Sequence, residues 1–236
     1  AAGHAAGGGG GGGGEVLEIF EFPQEMRKRK KTPNHLAEYS DVLIPSGVGT
    51  INDLHTKQKL HRAVRIHVVD QTSGSGKLLM LQRAPGLLTC PMAWTLVGEH
   101  RRPRETVLEA CRRGLVEELG APKRATAQQL GLSMLSSHED DHIYMEIQKG
   151  NNTCRGFGED RGERQLFSMC IVDYSQQWPL AFDNEVANHK WAEVSALAHD
   201  LETKAHKYCC SELAGTFKTS VAMVLRWLDG PAGGVR

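Results

Sequence analysis

The stretch that most constrains this chain is residues 98–121, GEHRRPRETVLEACRRGLVEELGA, a Gly-containing loop that runs into an amphipathic helix. Leu108, Cys111, Leu115 and Leu119 recur at spacings of three and four, so they form one apolar stripe that has to be buried against a second layer. A sheet is the expected layer, which makes the helix a core element. Pro103 stands just ahead, Glu105 meets the positive end of the helix dipole and Gly120 supplies a left-handed stop, so the pattern predicts a helix over 105–119. Glu117 and Glu118 then fall at the negative end of the dipole, where carboxylates cost roughly a few tenths of a kcal/mol unless a cation is near. Adjacent acids suit a hard cation such as Mg²⁺, which takes one or two carboxylates together with substrate phosphates; a solvated acidic pair is the plain alternative.

The same stretch resembles the signature loop-helix-loop of the Nudix superfamily. That signature reads Gly, five residues, Glu, seven residues, Arg-Glu-aliphatic, one residue, Glu-Glu, one residue, Gly. Registered on Glu117 and Glu118, the chain also matches it at Glu105, Arg113, Leu115 and Gly120. Two positions depart: Glu99 stands where the first Gly belongs, with Gly98 beside it, and Gly114 stands where the Glu after the Arg belongs. In many members of the family that Glu is a metal ligand or the base that activates water. The resemblance implies an α/β fold, an α/β/α sandwich with a mixed sheet. It also implies a hydrolase of a diphosphate linked to another moiety, with Mg²⁺ or Mn²⁺ at Glu117 and Glu118. Arg83 or Arg113 would then offset substrate charge, or Arg113 would be structural and held by Glu105. The base would come from a downstream acid, Glu163, Glu159 or Glu185.

A second resemblance, over about 54–120, is to the isopentenyl-diphosphate isomerase branch. It rests on His55, His61-Arg62-Ala63, Gln82-Arg83-Ala84, Pro91, Trp94 and His100. In that branch three His join downstream acids around a metal, which here implies His100, with His55 and His61 as weaker candidates, and Glu163. Gln165 stands at the other acidic position, and Gly98 stands where the isomerase needs its catalytic Cys. Isomerase-like activity is therefore the least favoured function. A catalytically silent scaffold binding a nucleotide, RNA or protein partner is the other alternative to hydrolysis, favoured by Glu99 and Gly114.

Outside these motifs the residues set limits. The 28 basic and 28 acidic residues cancel, so charge gives no indication of nucleic acid, and there is no run of 18 or more apolar residues to suggest a membrane span. A small-molecule diphosphate is the expected partner, and oligomeric state is left open. Six cysteines at 90, 111, 154, 170, 209 and 210 show no zinc-type spacing, so reduced thiols are expected. Reduced thiols point to an intracellular, by default cytoplasmic, compartment, or to an organelle if a transit peptide has been removed.

The expected domains are a disordered Gly-rich tail at 1–14, an N-terminal extension at 15–50 and a Nudix domain at 51–230. The basic run 27–31 reads as a solvated loop, and 41–60 as irregular, with Pro45, Gly47 and Gly49 marking turns. Strands are expected at 15–22, 61–70, 77–84, 130–135, 142–147 and 164–174, the second and third forming a hairpin. A mobile loop over the site is expected at 150–163. The last 40 residues should be helical, with Phe217, Val221, Val224, Leu225 and Leu228 as the apolar face of the final helix.

Overall fold

The computed structural model describes residues 15–23, 43–72, 74, 76–87, 89–136, 143–147, 162–175, 178–203, 208 and 216–230. The expectations for the Gly tail, the basic run at 27–31, the HEDD turn and the loop 150–161 lie outside these residues. In chain order the elements are β1 (Val16–Glu21), β2 (Ile44–Thr50), α1 (Ile51–Thr56), β3 (His61–Asp70), β4 (Lys77–Arg83), β5 (Trp94–Thr95) and β6 (Val97–His100). They continue with α2 (Val107–Leu119), β7 (Leu132–Met134), β8 (Ile143–Ile147), β9 (Glu163–Asp173), β10 (Val186–Glu193), α3 (Val194–Thr203) and α4 (Thr216–Asp229).

The large sheet runs β10-β4-β3-β9-β7, with β5 on β4, β6 on β3 and β8 on β9. It is mixed, because β3 and β9 are parallel over nine residue pairs, from His61↔Gln165 to Val69↔Asp173, while the other pairs are antiparallel. On β3, Val64, Ile66 and Val68 face α2, whereas Val69 joins Leu78, Met80 and Ile171 beneath α3 and α4. The expected α/β/α sandwich is what the chain forms. Both faces of β3 are covered, so its sequence, read as alternating, is buried almost throughout.

The stripe on α2 packs as its spacing requires: Cys111, Leu115 and Leu119 are fully buried, while Leu108 is only partly so and Val107 and Ala110 complete the face. Truncating a side chain such as Leu115 to Ala would cost about 2–5 kcal/mol. The helix starts at 107, not 105. Thr106 is the cap: its hydroxyl accepts from Glu109 N at 3.2 Å and Glu109 Oε2 accepts from Thr106 N at 2.8 Å, a reciprocal capping box. Gly120 closes the helix at φ 69°, and a Cβ there would lie 2.7 Å from Ala181 Cβ, so only Gly fits.

Three expectations need correction. The irregular region 41–60 contains a strand and a helix. The turn-forming residues Pro45 and Gly47 sit on β2 where its register with β1 shifts, a bulge that accommodates them. The hairpin of β3 and β4 is brief, with only Val69↔Leu78 and Asp70↔Lys77 paired before the strands part. The thiols are not all reduced: Cys111 on α2 and Cys170 on β9 are bonded, with Cα atoms 6.7 Å apart, and Cys90 is also in a disulfide. Sequence spacing could not show this, because the helix stripe and the strand face meet only in the packed core. The compartment argument built on free thiols loses its footing. Among the described residues no helix is long and apolar enough to cross a membrane.

Candidate functional site

The parting of β3 and β4 creates the site. Beyond Leu78, β6 pairs with β3 and β5 pairs with β4, and the cleft between these two halves of the sheet opens a cavity of about 240 Å³.

His55 on α1, His61 at the start of β3 and His100 at the end of β6 converge, with ring centroids 5.3–5.9 Å apart and one nitrogen from each lying within 4.8 Å of the others. Register explains this. His61 is level with Gln165 on β9, and the β6 pairing sets His100 beside Ala63, two residues further along the same face of β3. Glu163 completes the group, with Oε2 3.1 Å from His55 Nδ1 and Oε1 3.6 Å from His61 Nε2.

His61 Nδ1 lies 2.9 Å from the Lys59 carbonyl. A carbonyl only accepts, so Nδ1 carries the proton and Nε2 is the acceptor, to which Gln165 Nε2 donates at 3.1 Å. Burial, helped by the neighbouring His100, holds His61 down to about 4. Burial, with His55 and Arg113 nearby, holds His100 down to about 3. Both rings are neutral at pH 7, the state in which imidazole ligates a metal. Glu163 Oε1 is buried and has no hydrogen-bond partner, an acceptor left for something else to satisfy. The three imidazoles and the unsatisfied carboxylate oxygen form a donor set that fits Zn²⁺ or Mn²⁺.

Glu118, from the last turn of α2, lines the same cavity together with Glu99 and Glu185. Burial pushes its carboxyl up to about 7, with the charges of Asp183, Glu99, Glu185 and Glu117 adding to the effect. Arg83 lines the same cavity, its guanidinium oriented by Nε to the Thr89 carbonyl at 2.9 Å and Nη2 to Thr89 Oγ1 at 3.1 Å.

The structure does not bring two of the sequence candidates here. Glu117 is one residue from Glu118, so it leaves the helix about 100° away. It is 46% exposed and pairs with Arg113 at 3.3 Å and Arg102 at 3.8 Å. Arg113 is a clamp: it donates twice to Glu105 at 2.9 Å, to the His100 carbonyl at 2.6 Å and to Glu99 at 2.9 Å, fixing the loop 99–105 on the helix. These partners engage its guanidinium within the loop and helix.

Arg65 is the residue that sequence reading missed. It lines the cavity, lies over the Phe167 ring at 4.1 Å and donates to Thr216 Oγ1 at 3.0 Å. Its signal was a charge inside an otherwise apolar strand, which alternation disguised as a solvent-facing position.

A mixed sheet split over a loop-helix-loop that carries Arg113 and Glu118 defines a Nudix-type sandwich. The NUDIX domain family matches residues 59–212, more than half of the sequence, and the chain belongs to that family. Among solved structures, DR0079 from Deinococcus radiodurans superposes with a TM-score of 0.55 at 17% identity, covering 87% of this chain and 99% of that one. The E. coli dihydroneopterin triphosphate pyrophosphohydrolase gives 0.46 at 17% identity over 72% of this chain and 96% of its own. A C. elegans Ap4A hydrolase gives 0.42 at 19% identity over 68% and 97%. At such identities the likeness is one of fold. No curated protein matches the chain in sequence.

Proposed function

We propose that the protein is a divalent-metal-dependent hydrolase of a diphosphate linked to another group. One observation supports the reading: a single cavity is lined by His55, His100, Glu118, Arg83 and Glu163, whose Oε1 has no hydrogen-bond partner. A cation such as Mg²⁺ or Mn²⁺ bound there would polarise phosphorus and neutralise developing charge on the phosphate oxygens. Glu118 is the acid we assign to hold it from the helix side, and in its ionised form it would gain the counter-charge that its acidic neighbours deny it.

Arg83 serves as the fixed cation for a phosphate oxygen, because Thr89 holds its fork in place and so lowers the entropy lost when substrate binds. Arg65 adds a second guanidinium deeper in the cavity. The helix carries no acid at Gly114, so the proton of the attacking water goes to a loop residue. Glu185, half-buried at the turn before β10, is the base we assign, since Glu163 is committed between His55 and His61. Glu117 and Arg113 are left out of the chemistry by their mutual ion pair.

The histidine cluster favours the isomerase-like alternative to the extent that it reproduces that branch's imidazole set, but Gly98 offers no thiol and Cys90 is in a disulfide. Incubation with a panel of nucleoside diphosphate-linked, dinucleotide and prenyl diphosphate compounds with Mg²⁺ or Mn²⁺, measuring phosphomonoester products and free phosphate, tests the reading. Release from at least one class is expected. A wild type that binds these compounds and cleaves none would make the protein a silent scaffold.

A further inference from the structure

Relative to the Nudix signature, two positions carry each other's residue: Glu99 stands in place of Gly and Gly114 in place of Glu. The fold brings these positions into contact. A Cβ on Gly114 would lie 3.3 Å from Glu99 Cβ, 3.7 Å from Glu99 Cγ and 3.0 Å from Ile66 Cδ1. The Glu99 side chain therefore fills the space into which a side chain at 114 would project.

The pairing of β6 with β3 explains the direction. Glu99 is opposite Val64, so it leaves the sheet toward α2, while His100 leaves on the other face toward His55 and His61. Two donors fix its carboxylate: Arg113 Nη1 to Oε2 at 2.9 Å and His100 N to Oε1 at 2.7 Å. A carboxylate has about four lone-pair directions, so it retains acceptor capacity, and it lines the cavity beside Glu118. The same cavity holds Glu163, a side chain only 8% exposed whose Oε1 has no hydrogen-bond partner.

We propose that Glu99 is the carboxylate that the helix lacks at Gly114, reaching in from the loop to form, with Glu118, the oxygen-ligand pair for a hard divalent cation such as Mg²⁺. The proposal rests on the reading of the cavity as a cation-dependent phosphate site and supplies its second acidic ligand. It also accounts for Gly114, a residue less favourable than Ala in a helix interior. Any larger residue there meets Glu99. The two departures from the signature are one exchange, in which the acid moved from helix to loop and the small residue from loop to helix.

Calorimetric titration of the whole chain with MgCl₂, without substrate, tests this alongside thermal melts of the metal-free protein. Mg²⁺ is the probe because the histidine cluster disfavours a hard ion. Glu99→Gln should keep a cooperative melt and weaken Mg²⁺ tenfold or more. Gly114→Glu alone should melt below wild type, because its side chain meets Ile66 and Glu99. The double variant Glu99→Gly with Gly114→Glu should regain the melt and bind Mg²⁺ within threefold of wild type. The proposal is overturned if Glu99→Gln binds Mg²⁺ as tightly as wild type, if wild type binds none, or if the folded double variant stays tenfold weak. Loss of phosphate release across the substrate panel, with Mg²⁺ binding that still depends on Glu99, removes the hydrolase reading and leaves this one standing.

Discussion

Replacing Glu118 by Gln should stabilise the metal-free protein at high pH, the reverse of the usual outcome for a change inside a functional site. The carboxyl pKa rises from 4.5 to about 7, first through burial and then through Asp183, Glu99, Glu185 and Glu117. At about 1.36 kcal/mol per pH unit, that rise corresponds to about 3 kcal/mol of instability when the group is ionised. The folded state binds the extra proton between pH 4.5 and about 7, so its stability falls as pH rises through this window and is flat on either side. Gln cannot ionise. Imperfect pairing of its amide costs about 1 kcal/mol, which leaves a net gain of about 2 kcal/mol at pH 8 and a net loss of about 1 kcal/mol at pH 4.5. For a chain of this size the gain equals about 4–8 °C in melting temperature. Melts of wild type and Glu118→Gln in EDTA, at pH 4.5, 6 and 8, read it directly. A variant that melts below wild type by the same margin at all three values would refute the reasoning. Added Mg²⁺ should reverse the order at pH 8, since only the carboxylate gains from the cation.

Glu185→Gln should lower turnover by about a hundredfold with little change in KM, the lower range for removing a general base; unchanged kcat on a cleaved substrate would remove Glu185 from that role. Glu163→Gln and His61→Ala should each weaken Zn²⁺ or Mn²⁺ by about tenfold or more in calorimetry, while Glu117→Gln leaves both ions unaffected because its carboxylate faces Arg113 and Arg102. Equal losses in all three variants would contradict the separation of Glu117 from the histidine cluster. Arg113→Ala should cost about 3–5 kcal/mol in chemical denaturation, because it strands the Glu99 and Glu105 carboxylates in a buried loop; a loss under 1 kcal/mol would show that solvent reaches them.

The sequence by itself determined the elements whose signals are local. The spacing of Cys111, Leu115 and Leu119, with Gly120 as the stop, placed α2 to within two residues, because side-chain periodicity is set by the helix alone. The resemblance to the Nudix signature pointed to the pair Glu117 and Glu118, and that to the isomerase branch pointed to His55, His61 and His100, which the fold brings together. Tertiary structure decided the rest. Glu117 and Glu118 are indistinguishable as letters, and only the packing of α2 sends one to Arg113 and the other into the cavity. Arg65 looked like the polar side of an amphipathic strand until α2 on one face and α3 with α4 on the other covered β3. Cys111 and Cys170 are separated by 59 residues and meet only where the helix stripe lies on the sheet. Glu99 and Gly114, two separate departures on the page, become one arrangement when β6 lies against α2, because contact across elements depends on distance in space, which a linear sequence does not carry.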